Sequence, residues 1–286
     1  MGNIFSASRF IDERGPMSGE RAAHLISADQ LRRDPPERLV LLDVRDRESH
    51  RAGHLPGAQV VDVDADLAGT ATPDSGARPL PDTAALTAAL RRWGIHADSA
   101  VVIYDDSRSV AAARAWWVLR WAGLADVRIL DGGLRAWRGG VVAGTESAQP
   151  GSATAYPGGL PVVDTAAVAT LPDRGVLLDA RPPEHFRGGG DFVGHIPGAV
   201  SASVFDDLDD LGRLRDEPTV RARYRELGVE EGTVAASYCG SAMAAALQVF
   251  VLATLGIEIA LYPGSLSQWT GDPTRPLACG TTVASL

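Results

Sequence analysis

The chain repeats itself. Leu41-Leu42-Asp43-Val44-Arg45 returns as Leu177-Leu178-Asp179-Ala180-Arg181, and Gly53-His54-Leu55-Pro56-Gly57-Ala58 returns as Gly194-His195-Ile196-Pro197-Gly198-Ala199. Weaker echoes keep the same order: Trp93-Gly94-Ile95 with Leu227-Gly228-Val229, Val102-Ile103-Tyr104 with Ala236-Ser237-Tyr238, and Ala122-Gly123-Leu124 with Leu255-Gly256-Ile257. Gly133-Leu134-Arg135-Ala136-Trp137 answers to Ser265-Leu266-Ser267-Gln268-Trp269. Matches that hold their order through both halves mark a duplicated domain, so whatever one half folds into, the other must follow. The 286 residues are enough for two domains of ordinary size. The expected division is a disordered extension over 1–22, a first domain over 23–144, a linker over 145–161 and a second domain over 162–286. The linker is placed by its Gly, Ser, Ala and Pro content.

Within each half, short apolar runs alternate with helical patterns. The first half predicts strands at Leu39–Val44, Ala100–Tyr104 and Val127–Leu130, with helices over Asp82–Trp93 and Ala111–Ala122. Strands apolar on both faces and separated by helices imply an α/β fold. Each domain then holds a mainly parallel sheet flanked by helices. The Gly-His-x-Pro-Gly-Ala units read as tight turns. Their histidines, His54 and His195, are expected to serve structure.

Charge and cysteine content narrow the function. A net charge of −9 argues against a nucleic-acid surface, which needs a basic face, but leaves room for a local anion pocket. Two cysteines, Cys239 and Cys279, make no disulfide framework and suggest a reducing, cytoplasmic setting. With six scattered histidines they show no zinc spacing, so neither metal nor cofactor is expected. No apolar run has membrane-spanning length, and no membrane partner is expected. Met1-Gly2-Asn3-Ile4-Phe5-Ser6 fits a myristoylation pattern. All 27 basic residues are arginine, however, a bias that suggests a bacterial source where that modification is not expected.

The chemistry concentrates at Cys239. Val234-Ala235-Ala236-Ser237-Tyr238 predicts a buried strand, and a helix is expected from Ala244 onward. The cysteine stands at the turn between them, followed by Gly240, Ser241, Ala242, Met243 and Ala244. Backbone N–H groups and the positive end of a helix dipole can face a sulfur placed there and favour the thiolate. The alternative is an inert buried cysteine. Aligning the repeats sets Asp105 opposite Cys239, so one half carries a thiol where the other carries a carboxylate. The Asp105-Asp106-Ser107-Arg108-Ser109 loop is expected to repel anions and to lack a matching cradle. One active half and one scaffold half follow.

With these markers the chain resembles the tandem-domain rhodaneses, the thiosulfate and 3-mercaptopyruvate sulfurtransferases, from about Leu25 to Trp269. They are Asp179-Ala180-Arg181, the Gly194–Ala199 turn, the Cys239 loop, and Gly264-Ser265 ahead of Trp269. The resemblance implies a sulfurtransferase that moves sulfane sulfur from thiosulfate or 3-mercaptopyruvate to a thiophilic acceptor, cyanide or a thiol, through a Cys239 persulfide. The partners are then a small sulfur donor and an acceptor, with a protein thiol as one candidate. The alternative is a non-catalytic binding module or a persulfide carrier serving a protein partner. Ser241 is expected either to donate to substrate or to bond its own turn. The loop begins as in the mercaptopyruvate branch, but Ala242-Met243-Ala244 replaces that branch's Gly-Val-Thr. His185 stands where the family usually places a substrate arginine. His185 and the nearby Arg187 are therefore the candidate anion contacts, and Arg181 is expected to pair with a carboxylate such as Glu184. Phosphatases of the related fold need an arginine six positions after the cysteine, and Ala245 is there instead. Cys279 is read as incidental, or as a resolving thiol if the tail folds back.

Overall fold

The computed structural model of the protein describes Met17 and residues 19–281. Most of the expected extension over 1–22, and the Met1–Ser6 stretch, lie outside these residues. Gly19–Ala22 correct the expectation, because they open a helix, Gly19–His24, that runs into the first strand. Its buried Arg21 donates from Nη2 to the Arg215 carbonyl of the second half at 2.6 Å. A six-residue helix followed by a two-residue strand is too short to leave a periodic signal, and docking fixes it instead.

The first sheet contains β1 (Leu25–Ile26), β2 (Leu39–Asp43), β3 (Gln59–Val60), β4 (Ala100–Tyr104) and β5 (Val127–Leu130). Its order is β1-β5-β4-β2-β3, all parallel. The second contains β6 (Val176–Asp179), β7 (Val200–Ser201), β8 (Ala235–Tyr238) and β9 (Ala260–Leu261), in the order β7-β6-β8-β9 and again parallel. Val162 bridges Leu261 where β1 lies against β5 in the first sheet. The central strands β4 and β8 are buried at every residue, which is why they read as unbroken apolar runs. The helix Thr83–Arg92 follows its signals: the Asp82 side chain accepts from the Ala84 and Ala85 N–H groups, and Arg91 and Arg92 close the last turn.

The halves share one core. The helix Val110–Trp121 of the first packs on the helix Met243–Ala253 of the second, with Trp116 edge-on to Phe250 at 5.1 Å between ring centres. Residues of both halves join in a single buried apolar cluster. The 145–161 connection has almost no regular structure, yet it is held along the first domain. Gly151, Ala153, Tyr156 and Gly159 donate to the carbonyls of Arg91, Ile95, Ala122 and Trp121. Ala153 and Ala155 are buried.

His24, beside this seam, titrates abnormally. Burial pushes its pKa down to about 4, and the nearby Arg120 charge acts in the same direction. Its Nδ1 is buried without a hydrogen-bond partner among the described residues. The unfolded chain therefore binds a proton at higher pH than the folded one. His24 contributes stability that is present above its ordinary value of 6.5 and is lost as pH falls through about 4. His24→Leu should remove that part of the dependence. Thermal melts of both proteins between pH 4 and 7 should show the wild-type melting temperature falling relative to that of the variant toward the acid end, and parallel curves would contradict the assignment.

Candidate active site

Cys239 follows directly on β8 and is buried, at 3% exposure. The residues after it turn sharply, with Ala242 in the left-handed region at φ 61°. This is the position where the mercaptopyruvate branch carries glycine, and a residue with a Cβ is strained there. The helix begins at Met243, one residue earlier than expected. A second segment holds the turn from behind. Ser265 Oγ accepts from the N–H groups of Cys239 (3.3 Å) and Ala242 (3.0 Å) and donates to the Tyr262 carbonyl. The Leu266 and Ser267 N–H groups take the Cys239 and Gly240 carbonyls. With those carbonyls drawn toward the helix Ser265–Trp269, the loop is left with N–H groups to offer.

The repeat shows where such N–H groups point. In the first domain the Asp105 carboxylate occupies the cysteine's place and accepts four backbone N–H bonds. Oδ1 takes Ser107 (3.1 Å) and Ser109 (3.0 Å), and Oδ2 takes Ala111 (3.1 Å) and Ala112 (3.1 Å). The expectation that this loop lacks a cradle, and that Asp105 repels anions, is therefore corrected. The cradle exists, and its charge is spent inside it. The first loop is one residue longer: its helix starts at Val110, that of the second domain at Met243, and Ser109 corresponds to Ala242, both left-handed at φ 64° and 61°. The helical donors that correspond to Ala111 and Ala112 are therefore the N–H groups of Ala244 and Ala245.

Each half also covers the other's loop. The first-domain segment from Thr72 to Pro79 lies on the second domain. Ala77 N–H donates to Ser267 Oγ (2.9 Å), and the Asp74 carbonyl accepts from Gln268. Gly76, at φ 82°, comes so close that a Cβ there would stand 2.6 Å from the Gly264 carbonyl oxygen. Reciprocally, Arg108 stacks over the Phe205 ring at 5.2 Å, and Gly212 lies against the Arg108 side chain. The covering segment brings in residues that the sequence reading missed. Arg78 donates from Nη1 to Ser241 Oγ (3.0 Å) and from Nε to Asp64 (2.6 Å). Behind it, Arg114 is fully buried and donates from Nη2 to the carbonyls of Leu67, Arg78 and Pro79. Burial pushes its pKa down to about 10; the Arg78 charge adds to this, and Cys239 and Asp64 oppose it.

The candidate anion contacts His185 and Arg187 lie on the short helix Pro183–Arg187. The His185 ring stacks on Phe192 at 3.9 Å, while Arg187 is exposed and offers its carbonyl to Gly280. Arg181 pairs with Asp179 at 2.6 Å rather than with Glu184, and it also donates to the Gly194 carbonyl. Burial opposes the Arg181 charge, but Asp179, with Tyr238 and Cys239, outweighs it and holds the pKa above its ordinary value. His54 and His195 are buried, with Nδ1 on the carbonyls of His50 and Phe186. The tail does fold back, Ala278 pairing with His195, so that Cys279 lies beside Gly188 and Gly194, and both cysteines are free thiols. A groove of about 470 Å³ runs between Thr165, Pro197, Trp269 and Pro276 and includes none of the Cys239 loop. Among the described residues no cluster of His, Cys, Asp and Glu could hold a metal ion, and no helix is long and apolar enough to cross a membrane.

Comparison with known proteins gives the same architecture. The rhodanese-like domain family matches residues 27–139 and again 164–272. A putative thiosulfate sulfurtransferase, SseB, of Mycobacterium tuberculosis is 42% identical over 84% of this chain and 91% of its own length. A probable 3-mercaptopyruvate sulfurtransferase of Pseudomonas aeruginosa is 38% identical over 91% of this chain and 99% of its own. The crystal structure of the 3-mercaptopyruvate sulfurtransferase SseA from Escherichia coli superposes with a TM-score of 0.76 at 28% identity, covering 84% of this chain and 98% of that one. Two sheets of the same order, two matched turns and two family matches in one chain have a single reading: the protein belongs to the rhodanese family, as a tandem of two rhodanese-like domains.

Proposed function

We propose that the protein is a sulfurtransferase that carries sulfane sulfur on Cys239, from thiosulfate or 3-mercaptopyruvate to cyanide or a thiol. The observation that carries this reading is the cradle. Its counterpart in the first domain holds a carboxylate with four N–H bonds, and the related, one-residue-shorter loop after Cys239, its carbonyls tied back by the Leu266 and Ser267 N–H groups, likewise suits a thiolate and then a persulfide anion. With thiosulfate, the Cys239 thiolate attacks the outer sulfur, the S–S bond breaks, and sulfite leaves with the electron pair. With 3-mercaptopyruvate, the C–S bond breaks and pyruvate leaves as its enolate. The donor's thiol proton ends on the pyruvate methyl carbon, leaving the persulfide as an anion. A thiophile then attacks the outer sulfur and restores the thiolate, which gives ping-pong kinetics. Gly240, Ser241, Ala242, Met243 and Ala244 form the wall of the cradle, and a protein thiol in the cytoplasm is a fitting acceptor.

Intact-protein mass spectrometry after exposure to each donor tests the proposal. A gain of one sulfur atom, absent in Cys239→Ala, is expected. If neither donor adds sulfur, the alternative of a binding module, or of a carrier loaded only by a protein, takes its place.

A further inference from the structure

The geometry points to Arg78, backed by Arg114, as the group that holds the anionic head of the sulfur donor, so that the first domain supplies the donor site opposite Cys239. This inference rests on the sulfur-transfer reading and adds to it the residues that select the donor. Arg78 is half-buried, with 31% of its side chain exposed. Asp64 fixes its orientation through Nε at 2.6 Å and, more loosely, through Nη2 at 3.4 Å. Nη1 reaches Ser241, two residues from the nucleophile. A guanidinium has five N–H groups, so one remains on each terminal nitrogen, in the fork geometry that matches a carboxylate or sulfonate.

Arg114 supplies the independent observation. It is fully buried, yet its Nε and Nη1 have no hydrogen-bond partner among the described residues. A buried cation with unspent N–H groups is costly unless an anion comes to it. Asp64, the carboxylate that pairs with Arg78, has 68% of its side chain exposed and so neutralises the pair poorly. Two cations against one solvated anion leave positive charge facing the Cys239 loop. In the second domain Arg181 is spent on Asp179 and Gly194, and the His185 ring is stacked on Phe192.

The Arg78–Ser241 bond also sets the role of the serine. Arginine only donates, so Ser241 Oγ accepts from it, and the hydroxyl proton is free to be given to an oxygen of the donor. Arg78 thus holds the anion and aims Ser241 at it. It does not take a proton.

Alkylation of Cys239 reads the anion site without any sulfur chemistry. In a Cys279→Ser background, rates are measured by intact mass with iodoacetate, which is anionic, and with iodoacetamide, which is neutral and of similar size. Arg78→Gln, which keeps a donor for Ser241, should lower the iodoacetate-to-iodoacetamide ratio about tenfold, the size of one charge-assisted hydrogen bond in a partly exposed site. Arg78→Lys should keep most of it. Steady-state turnover of Arg78→Gln should show KM for both donors rising by a similar factor, with a much smaller change in kcat. An unchanged ratio, or both alkylation rates falling together, would overturn the proposal. If the ratio collapses in a protein that never gains sulfur, the anion site stands and the sulfur-transfer reading falls. If sulfur is gained and the ratio does not move, the reverse holds.

Discussion

Cys239→Ala should abolish sulfur uptake and leave the fold in place. The proposed chemistry passes through one sulfur atom, and nothing else in the loop is a nucleophile of comparable strength: the Ser241 hydroxyl is already engaged by Arg78. Turnover with either donor should fall by roughly 10⁴-fold or more, as when an enzyme loses its covalent nucleophile. The structural cost is small by comparison. Cys239 is buried beside small residues, and removal of one sulfur atom from such a site costs about 1 kcal/mol. That shifts the melting temperature by only a few degrees in a chain of this size. Thiocyanate or pyruvate production together with a thermal melt checks both halves of the expectation. Retained turnover would remove Cys239 from the mechanism.

The second large effect belongs to the half without the thiol. Asp105→Ala should destabilise the protein by about 3 kcal/mol, because four backbone N–H groups, two of them buried, lose a charged acceptor at once. Asp105→Asn keeps one oxygen to accept, but turns an amide donor toward N–H groups that already donate, so an intermediate loss is expected. Urea unfolding measured on the three proteins gives the comparison. A loss under 1 kcal/mol for Asp105→Ala would mean that the cradle does not depend on its occupant.

Much of the fold was legible in the sequence, for physical reasons that can be named. β4 is flanked by strands and helices, so Ala100–Tyr104 carries no polar alternation and reads directly as a strand. Asp82 announces the helix after it. Cys239 was legible because a strand, a tight turn and a helix follow one another locally. The rest of the site was not, because it is not local. Arg78 and Ser241 lie 163 residues apart and meet only when the halves dock. The segment that carries Arg78 falls between the repeated motifs, where the two halves differ. For Arg114 a signal was present: it is the single charge amid Ala111-Ala112-Ala113 and Ala115-Trp116-Trp117, in a helix apolar nearly all round. A charge in that position must find compensation in the interior. His185 and Arg187 were chosen by position relative to the Asp-x-Arg unit; what the sequence did not show is that the His185 ring stacks on Phe192 and that the Arg187 carbonyl accepts from Gly280.

The Thr72–Pro79 covering segment has a consequence for what counts as the working unit. The second domain holds Cys239, and the arginines beside its loop, Arg78 on Ser241 and Arg114 behind it, come from the first. Residues 162–286 expressed alone would keep the thiol and forfeit the donor selection. On the proposed reading the half without the thiol is the other wall of the site, so deleting it should cost donor selection even where the thiol-bearing half still folds.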